Sequence, residues 1–169
     1  MLRIMDITEQ NKKRLSDAQG YSEVWEIVKD NVRAVLKQHR QGMMLFLDDL
    51  PLRLGAYHPL GTNNIVLNRA LTQVVAAIAK SQKSLNALIY TLLLHEYLHA
   101  LGHIQESEVR SLAYKVSKNC LGQDHAATQL AKLGPWSLLY GLLLDNLKGP
   151  KRVMEIVKNF EATNEKYIA

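Results

Sequence analysis

The feature that most constrains this chain is the pattern H-E-x-x-H at residues 95–99, which lies within the apolar stretch LIYTLLLHEYLHALG. The apolar residues before it recur at helical spacing, so the pattern is predicted to lie on a helix. On that helix His95 and His99 are one turn apart and project from the same face. Two imidazoles at this spacing bind one zinc ion in known sites, and Glu96 lies beside them as a general base.

A catalytic zinc site needs a third protein ligand and one position left open for water. His103 shares the helical face, but on a straight helix it would lie about 12 Å along the axis from the first histidine. Gly102 allows the chain to turn, so a following helix can return past the site. Glu106 lies three residues before Val109 on the predicted inward face of that helix, and Glu108 only one residue before it. We therefore expect Glu106 to be the third ligand, with Glu108 and His103 as open alternatives.

A purely structural interpretation of the same residues also exists. Glu106 and Glu108 are placed to stabilise the N-terminus of a helix, and Glu106 is spaced to pair with Arg110. The two histidines would then be partly buried polar residues, each with a hydrogen-bond partner. His125, a weaker candidate ligand elsewhere in the chain, is spaced as the first residue of a later helix.

The segment HEYLHALGH followed by ESEVRSLA resembles the zincin metallopeptidases, and is most similar to the gluzincin branch, whose glutamate ligand lies on a later helix. Small archaeal proteins of the minigluzincin kind are the nearest in size. The resemblance implies that His95, His99 and Glu106 hold Zn²⁺ and that Glu96 activates a water molecule for peptide hydrolysis. The chain departs from the family in its shorter spacing between His99 and Glu106, and in Arg110, where an aspartate or asparagine is common.

The resemblance also implies how a substrate would bind. GAYHPLGTNNIVLN, residues 55–68, is similar to the edge strand with which such enzymes bind an extended peptide. On this basis Ile65–Leu67 would pair with the substrate backbone. Tyr57, His58 or His103 would help to stabilise the oxyanion.

The fold expected from the sequence is α+β: a single zincin-like domain over residues 1–169, with a short mixed sheet packed on helices and a helical C-terminal extension over 123–169. Residues 1–20 are expected to be a short strand or a loosely held arm. A buried strand is predicted at Met43–Leu47, and a hairpin within residues 52–68. Helices are predicted from Ser22 to about Arg40 with a stop at Gly42, over 69–80, from Ser84 to Gly102, over 109–120, over 125–133, over 136–147 and over 152–162. Ser22, Ser84 and Asp124 are the expected N-caps of the helices that begin at or directly after them.

Composition limits the other functional classes. With 169 residues and 47% hydrophobic content, the chain suits one globular domain. It has no apolar run of about 20 residues that would span a bilayer, and the segment MLRIMDITEQ does not have the form of a secretion signal. A single cysteine, Cys120, excludes an internal disulfide, which favours the cytoplasm.

The net charge of +5 permits binding to nucleic acid, but the basic residues are scattered and no nucleic-acid motif is present. The sequence therefore favours a peptide or protein as the partner rather than nucleic acid or a membrane. Two alternatives stay open. One is a non-catalytic zincin-fold module for binding or regulation, and the other is a basic nucleic-acid-binding protein.

Overall fold

The computed structural model describes residues 2–79, 81–135, 137 and 151–161, which form an α+β fold and confirm the predicted class. The helices are α1 (Leu2–Asp17), α2 (Tyr21–Leu36), α3 (Arg69–Ala79), α4 (Gln82–Ala100), α5 (Glu106–Leu121) and α6 (Ala126–Leu133). The strands are β1 (Met44–Asp48), β2 (Ala56–Tyr57), β3 (Asn64–Asn68) and β4 (Glu155–Ile156). None of these helices is long and apolar enough to cross a membrane.

The four strands form one mixed sheet in the order β2-β3-β1-β4. β1 and β3 are parallel neighbours in its centre, and β2 and β4 each pair antiparallel at the outside. Val66 and Leu67 are paired on both sides, with β1 and with β2. Val66 and Leu67 therefore have no free backbone for a substrate, so the prediction that Ile65–Leu67 pairs with a peptide is wrong for two of its three residues. Among the described strands, the one at the edge next to α4 is β2.

Helix α4 lies at the centre of the fold and carries the H-E-x-x-H pattern. It packs against all five of the other described helices and against β2 and β3. Its apolar residues extend almost all round the helix, the pattern expected of a buried helix. The pattern is therefore held on the most enclosed element of the described fold.

The N-terminal residues form a helix, so the expectation of a strand or a loose arm is wrong. Leu15 and Ala18, at the end of α1, are buried, and the side-chain amide of Asn86 on α4 donates to both of their carbonyl oxygens at 2.9 Å. α1 also packs against α5. The sequence of α1 is mostly polar with few apolar positions, so its position depends on these tertiary contacts rather than on a strong local pattern.

The second helix is shorter than predicted. α2 begins after Gly20, and the hydroxyl of Ser22 does not cap it but donates to the carbonyl of Phe160 at 3.2 Å. The helix ends at Lys37, which adopts a left-handed conformation with φ of 57°. It therefore stops before Gly42, and the intervening residues lead into β1 without helical structure.

Two other predicted caps are displaced along the sequence. The side chain of Ser81, not Ser84, caps α4 and accepts from the backbone N–H of Ser84 at 3.3 Å. His125, not Asp124, caps α6, because its ring Nδ1 accepts from the N–H of Ala127 at 3.0 Å. Serine and aspartate are favoured N-cap residues but histidine is not, so residue preference alone does not predict the cap of α6.

Residues 151–161 are extended and do not form the predicted C-terminal helix. β4 extends the sheet beside β1, and the ring of Phe160 stacks on that of Trp25 with centroids 4.9 Å apart. The carboxylate of Glu161, 1% exposed, accepts from the indole N–H of Trp25 at 2.9 Å and the backbone N–H of Gly42 at 2.7 Å. These long-range contacts stabilise the non-helical conformation of the segment, although its local sequence pattern is typical of a helix. The predicted helix over 136–147 lies outside the described residues, apart from residue 137.

Asp49 fixes the beginning of this segment. Its carboxylate accepts from the guanidinium of Arg152 at 2.8 Å and from that of Arg69 at 3.2 Å. The hydrogen bonds from Arg152 and Arg69 hold the pKa of Asp49 well below its usual range. Asp49 is thus a structural carboxylate that follows β1.

Candidate metal centre

A tight turn between α4 and α5 builds the candidate metal centre. Gly102 has φ of 105°, and its N–H donates to the carbonyl of His99 at 3.0 Å, while the N–H of His103 donates to Leu98 at 3.1 Å. These bonds satisfy the last carbonyls of α4 and reverse the chain. α5 begins at Glu106, so this residue faces the end of the helix that it has just left.

The structure brings together the side chains of His95, His99 and Glu106. One carboxylate oxygen of Glu106 lies 3.0 Å from Nε2 of His95, and the other lies 2.7 Å from Nε2 of His99. Ligand atoms of the three residues all lie within 4.8 Å of one another. Ligands about 2 Å from a tetrahedral zinc are separated by about 3.3 Å, so this donor set fits a zinc ion with small side-chain adjustments.

A backbone hydrogen bond orients one of the imidazoles. Nδ1 of His99 lies 2.8 Å from the carbonyl oxygen of His103, and it must carry the proton because the carbonyl only accepts. With Nδ1 protonated, Nε2 donates to Glu106 when the ring is charged. In the neutral ring Nε2 instead presents its lone pair, which is the arrangement found around metal-bound histidines. His103 therefore supports the centre through its backbone oxygen.

The alternative third ligands lie outside the cluster. The ring of His103 contacts Glu108 at 2.7 Å and the side-chain oxygen of Gln38 at 2.8 Å. This pairing turns both His103 and Glu108 away from the other two histidines. Of the three candidates weighed from the sequence, Glu106 is the one that the structure brings to His95 and His99. His125 is separately engaged as the cap of α6.

The ion pair between Glu106 and Arg110 that the structural interpretation expects is not formed within the described residues. The Glu106 carboxylate is directed at the two imidazoles instead. Arg110, one turn further along α5, is exposed and lines a cavity beside the cluster.

Glu96 lies beside the cluster in an enclosed environment, with 6% of its surface exposed. Burial raises its pKa from 4.5 to about 7, an effect that the charge on His99 opposes and that on Glu106 reinforces. A carboxyl group with a pKa near neutrality is suited to accept and release protons at physiological pH. Its position agrees with the general-base role expected from the sequence.

The pKa values of His95 and Glu106 are both lowered, for different reasons. Burial lowers the pKa of His95, which favours the neutral imidazole. For Glu106, burial acts to raise the pKa, but the charges of His95 and His99 and their hydrogen bonds outweigh it, so the pKa is lowered. A neutral imidazole and an ionised carboxylate are the states in which these groups bind a metal ion.

Two cavities adjoin the cluster, and both are lined in part by Glu96 and Glu106. The first, which we call the basic cavity, has a volume of about 390 Å³ and lies between β2, α5 and the end of α6. Its cationic lining residues are Arg53, Arg110 and Lys132. Sequence reasoning missed this cavity because its far wall, residues 130–135, reaches the site only through the packing of α6.

The second cavity, which we call the apolar cavity, has a volume of about 320 Å³. Its apolar lining includes Leu54, Leu60 and Ile104, each more than 40% exposed. Tyr57 and His58, two of the groups expected near an oxyanion, also line it, and Nδ1 of His58 lies 2.8 Å from the carbonyl of residue 64. The third expected group, the ring of His103, lines neither of the two cavities.

Comparisons with known proteins give no assignment: no protein-family model, no curated protein and no solved structure matches this chain. The functional argument therefore depends on the geometry of the cluster and of its two cavities.

Proposed function

We propose that this chain is a zinc-dependent metallopeptidase in which His95, His99 and Glu106 bind Zn²⁺ and Glu96 is the general base. The observation that carries the proposal is the convergence of the three ligand atoms within 4.8 Å, beside a buried carboxyl group and open cavities. A carboxyl group with a perturbed pKa, beside potential metal ligands and open to a cleft, is one of the features by which catalytic sites are identified.

Each residue of the site has a defined task in peptide hydrolysis. Zinc, when bound, supplies a Lewis acid that lowers the pKa of water towards 7 and polarises a carbonyl group. Glu96 takes a proton from the attacking water and returns it to the leaving amine, which its raised pKa favours. Tyr57 and His58 line the apolar cavity and are the groups that we expect to stabilise the oxyanion.

The edge strand β2 is the surface on which an extended peptide would bind. It lies tightly against α4, because a Cβ atom placed on Gly55 would come within 2.5 Å of the Leu92 side chain. The outer backbone groups of Ala56 and Tyr57 would pair with the substrate by strand addition. This replaces the inner strand β3 with β2 as the peptide-binding strand.

The substrate is therefore a peptide or protein, and we assign the reaction to the cytoplasm because the single cysteine suits a reducing compartment. Neither a membrane nor a nucleic acid is needed for this function.

The test is cleavage of a mixed library of quenched fluorescent peptides by the zinc-loaded protein. We expect Glu96→Gln to bind zinc as the native chain does but to lose cleavage by a factor of about 10² to 10⁴, the usual contribution of a general base. Glu108→Gln is the matched control, because Glu108 pairs with His103 outside the cluster. Zinc binding without cleavage of any peptide would contradict the proposal and favour a non-catalytic binding or regulatory module.

A further inference from the structure

The two cavities that flank the site differ in chemical character. The basic cavity is lined by three cations, Arg53, Arg110 and Lys132, and among the described residues its carboxylates are Glu96 and Glu106. Both of these carboxylates are assigned to the zinc site under the proposed function. Arg110 and Lys132 are exposed, so they leave positive charge for a substrate.

Arg110 is the cation of this cavity that lies one helical turn from a proposed zinc ligand. It follows Glu106 by four residues on α5, and it lines the basic cavity together with His95 and Glu106. Within the residues that the structure describes, no carboxylate forms an ion pair with Arg110, since Glu106 is engaged by the two imidazoles. An exposed guanidinium at the edge of a cleft is suited to a bidentate contact with a carboxylate.

The apolar cavity lies at the other end of β2. Three of its lining residues, Leu54, Leu60 and Ile104, are among the exposed large hydrophobic side chains of the described chain. Apolar side chains that cluster around one cavity, rather than being scattered, indicate a surface for an apolar group of a ligand.

The direction of β2 relates these cavities to the two sides of a scissile bond. Arg53 and Gly55, before β2, line the basic cavity, and His58 and Leu60, after β2, line the apolar cavity. Leu54 and Ala56 lie between these pairs or within β2 and line both cavities. Antiparallel pairing is slightly more stable per residue than parallel pairing. A peptide antiparallel to β2 would run from the apolar cavity, past Glu96, into the basic cavity.

We infer that the site selects peptides with an apolar side chain before the scissile bond and a carboxylate directly after it, and that Arg110 is the main carboxylate-recognising residue. This inference rests on the proposed function. The carboxylate has two sources, an acidic side chain or the free C-terminus of the peptide, and these differ in whether the enzyme cleaves within chains or removes C-terminal residues.

The test uses matched peptides with blocked termini that differ in the single residue after a central leucine. These carry glutamate, glutamine or lysine at that position, and a fourth peptide ends at that residue with a free carboxylate. We expect kcat/KM for the glutamate peptide to exceed that for the glutamine peptide by about twofold to fivefold, the value of one favourable exposed charge pair. A preference for the fourth peptide over the glutamate peptide would assign the carboxylate to the C-terminus.

Arg110→Gln should remove the preference, and Arg110→Glu should reverse it in favour of the lysine peptide. Lys115→Gln is the matched control, because Lys115 is an exposed cation on the same helix that does not line the cavity. The same ratios are measured as dissociation constants by fluorescence anisotropy in a Glu96→Gln background, which reports recognition without cleavage.

The outcomes separate the two proposals. A carboxylate preference in binding that depends on Arg110, without cleavage of any peptide, supports the recognition site and contradicts the peptidase function. The recognition site is overturned if the glutamate and glutamine peptides have equal kcat/KM values and equal dissociation constants. It is also overturned if Arg110→Gln leaves the ratio between the two peptides unchanged. In either case the peptidase proposal stands on its own test.

Discussion

Replacing Glu96 by glutamine should stabilise the metal-free protein above neutral pH. Burial raises the pKa of this carboxyl group from 4.5 to about 7 in the folded state. A carboxyl group that binds its proton more tightly when folded favours folding at low pH, and this contribution is lost as the pH rises through the folded pKa. Glutamine does not ionise, so it does not lose this contribution.

The magnitude follows from the size of the shift. Each pKa unit corresponds to about 1.4 kcal/mol, so the change from 4.5 to about 7 amounts to about 3 kcal/mol once both states are ionised. The stability difference between Glu96→Gln and the native chain should therefore increase from about pH 4.5 to about pH 7 and then level off. This cost is the kind that a catalytic site imposes on a fold.

The assay is urea unfolding with zinc chelated, at a series of pH values between about 5 and 8. Glu106→Gln is an informative control, because the lowered pKa of Glu106 gives the opposite sign. The contribution of the Glu106 carboxylate to the free energy of unfolding is present above the pKa that this group has in the unfolded chain. It is lost as the pH falls through the lower pKa of the folded state. A Glu96→Gln difference that does not change with pH, or that favours the native chain at about pH 8, would refute the reasoning.

Three structural predictions concern the frame around the site. Gly55→Ala should cost about 1–3 kcal/mol in the free energy of unfolding, because its Cβ would meet the buried side chain of Leu92. Glu161→Ala should cost about 2–4 kcal/mol, since it leaves buried donors, including the indole of Trp25, without an acceptor. Asp49→Asn should destabilise the protein near neutral pH, and the difference should shrink as the pH falls below about 4, because a carboxylate with a depressed pKa stabilises only while ionised. Chemical denaturation of each variant measures all three, and unchanged midpoints would contradict these contacts.

The candidate centre was predictable because its determinants are local. A short stretch of sequence determines both the helical spacing of His95 and His99 and the turn at Gly102. The position of Glu106 relative to the inward residues of α5 was enough to prefer it over Glu108, and the structure brings Glu106 to both imidazoles. The zinc ion itself stays a prediction.

Features that depend on distant contacts were not predictable. α1 has a polar sequence, and it is anchored through Asn86, far along the chain. Residues 151–161 have a helical pattern, but the contacts of Phe160 and Glu161 with Trp25 hold them in an extended form. The basic cavity likewise requires α6 to pack against α4 and α5, which brings its end to the same cavity as the residues before β2. In each case the local sequence is compatible with more than one structure, and burial decides between them.

The most direct test of the central claim is the zinc stoichiometry and affinity of the purified protein, compared with Glu106→Gln and Glu108→Gln. We predict one zinc per chain, with the affinity lowered by more than about 100-fold in Glu106→Gln, because loss of a direct ligand should exceed the loss of a supporting residue. Glu108→Gln should bind zinc as the native chain does. A native protein that binds no zinc, or three proteins that bind it equally, would contradict the assignment of His95, His99 and Glu106 as a metal site.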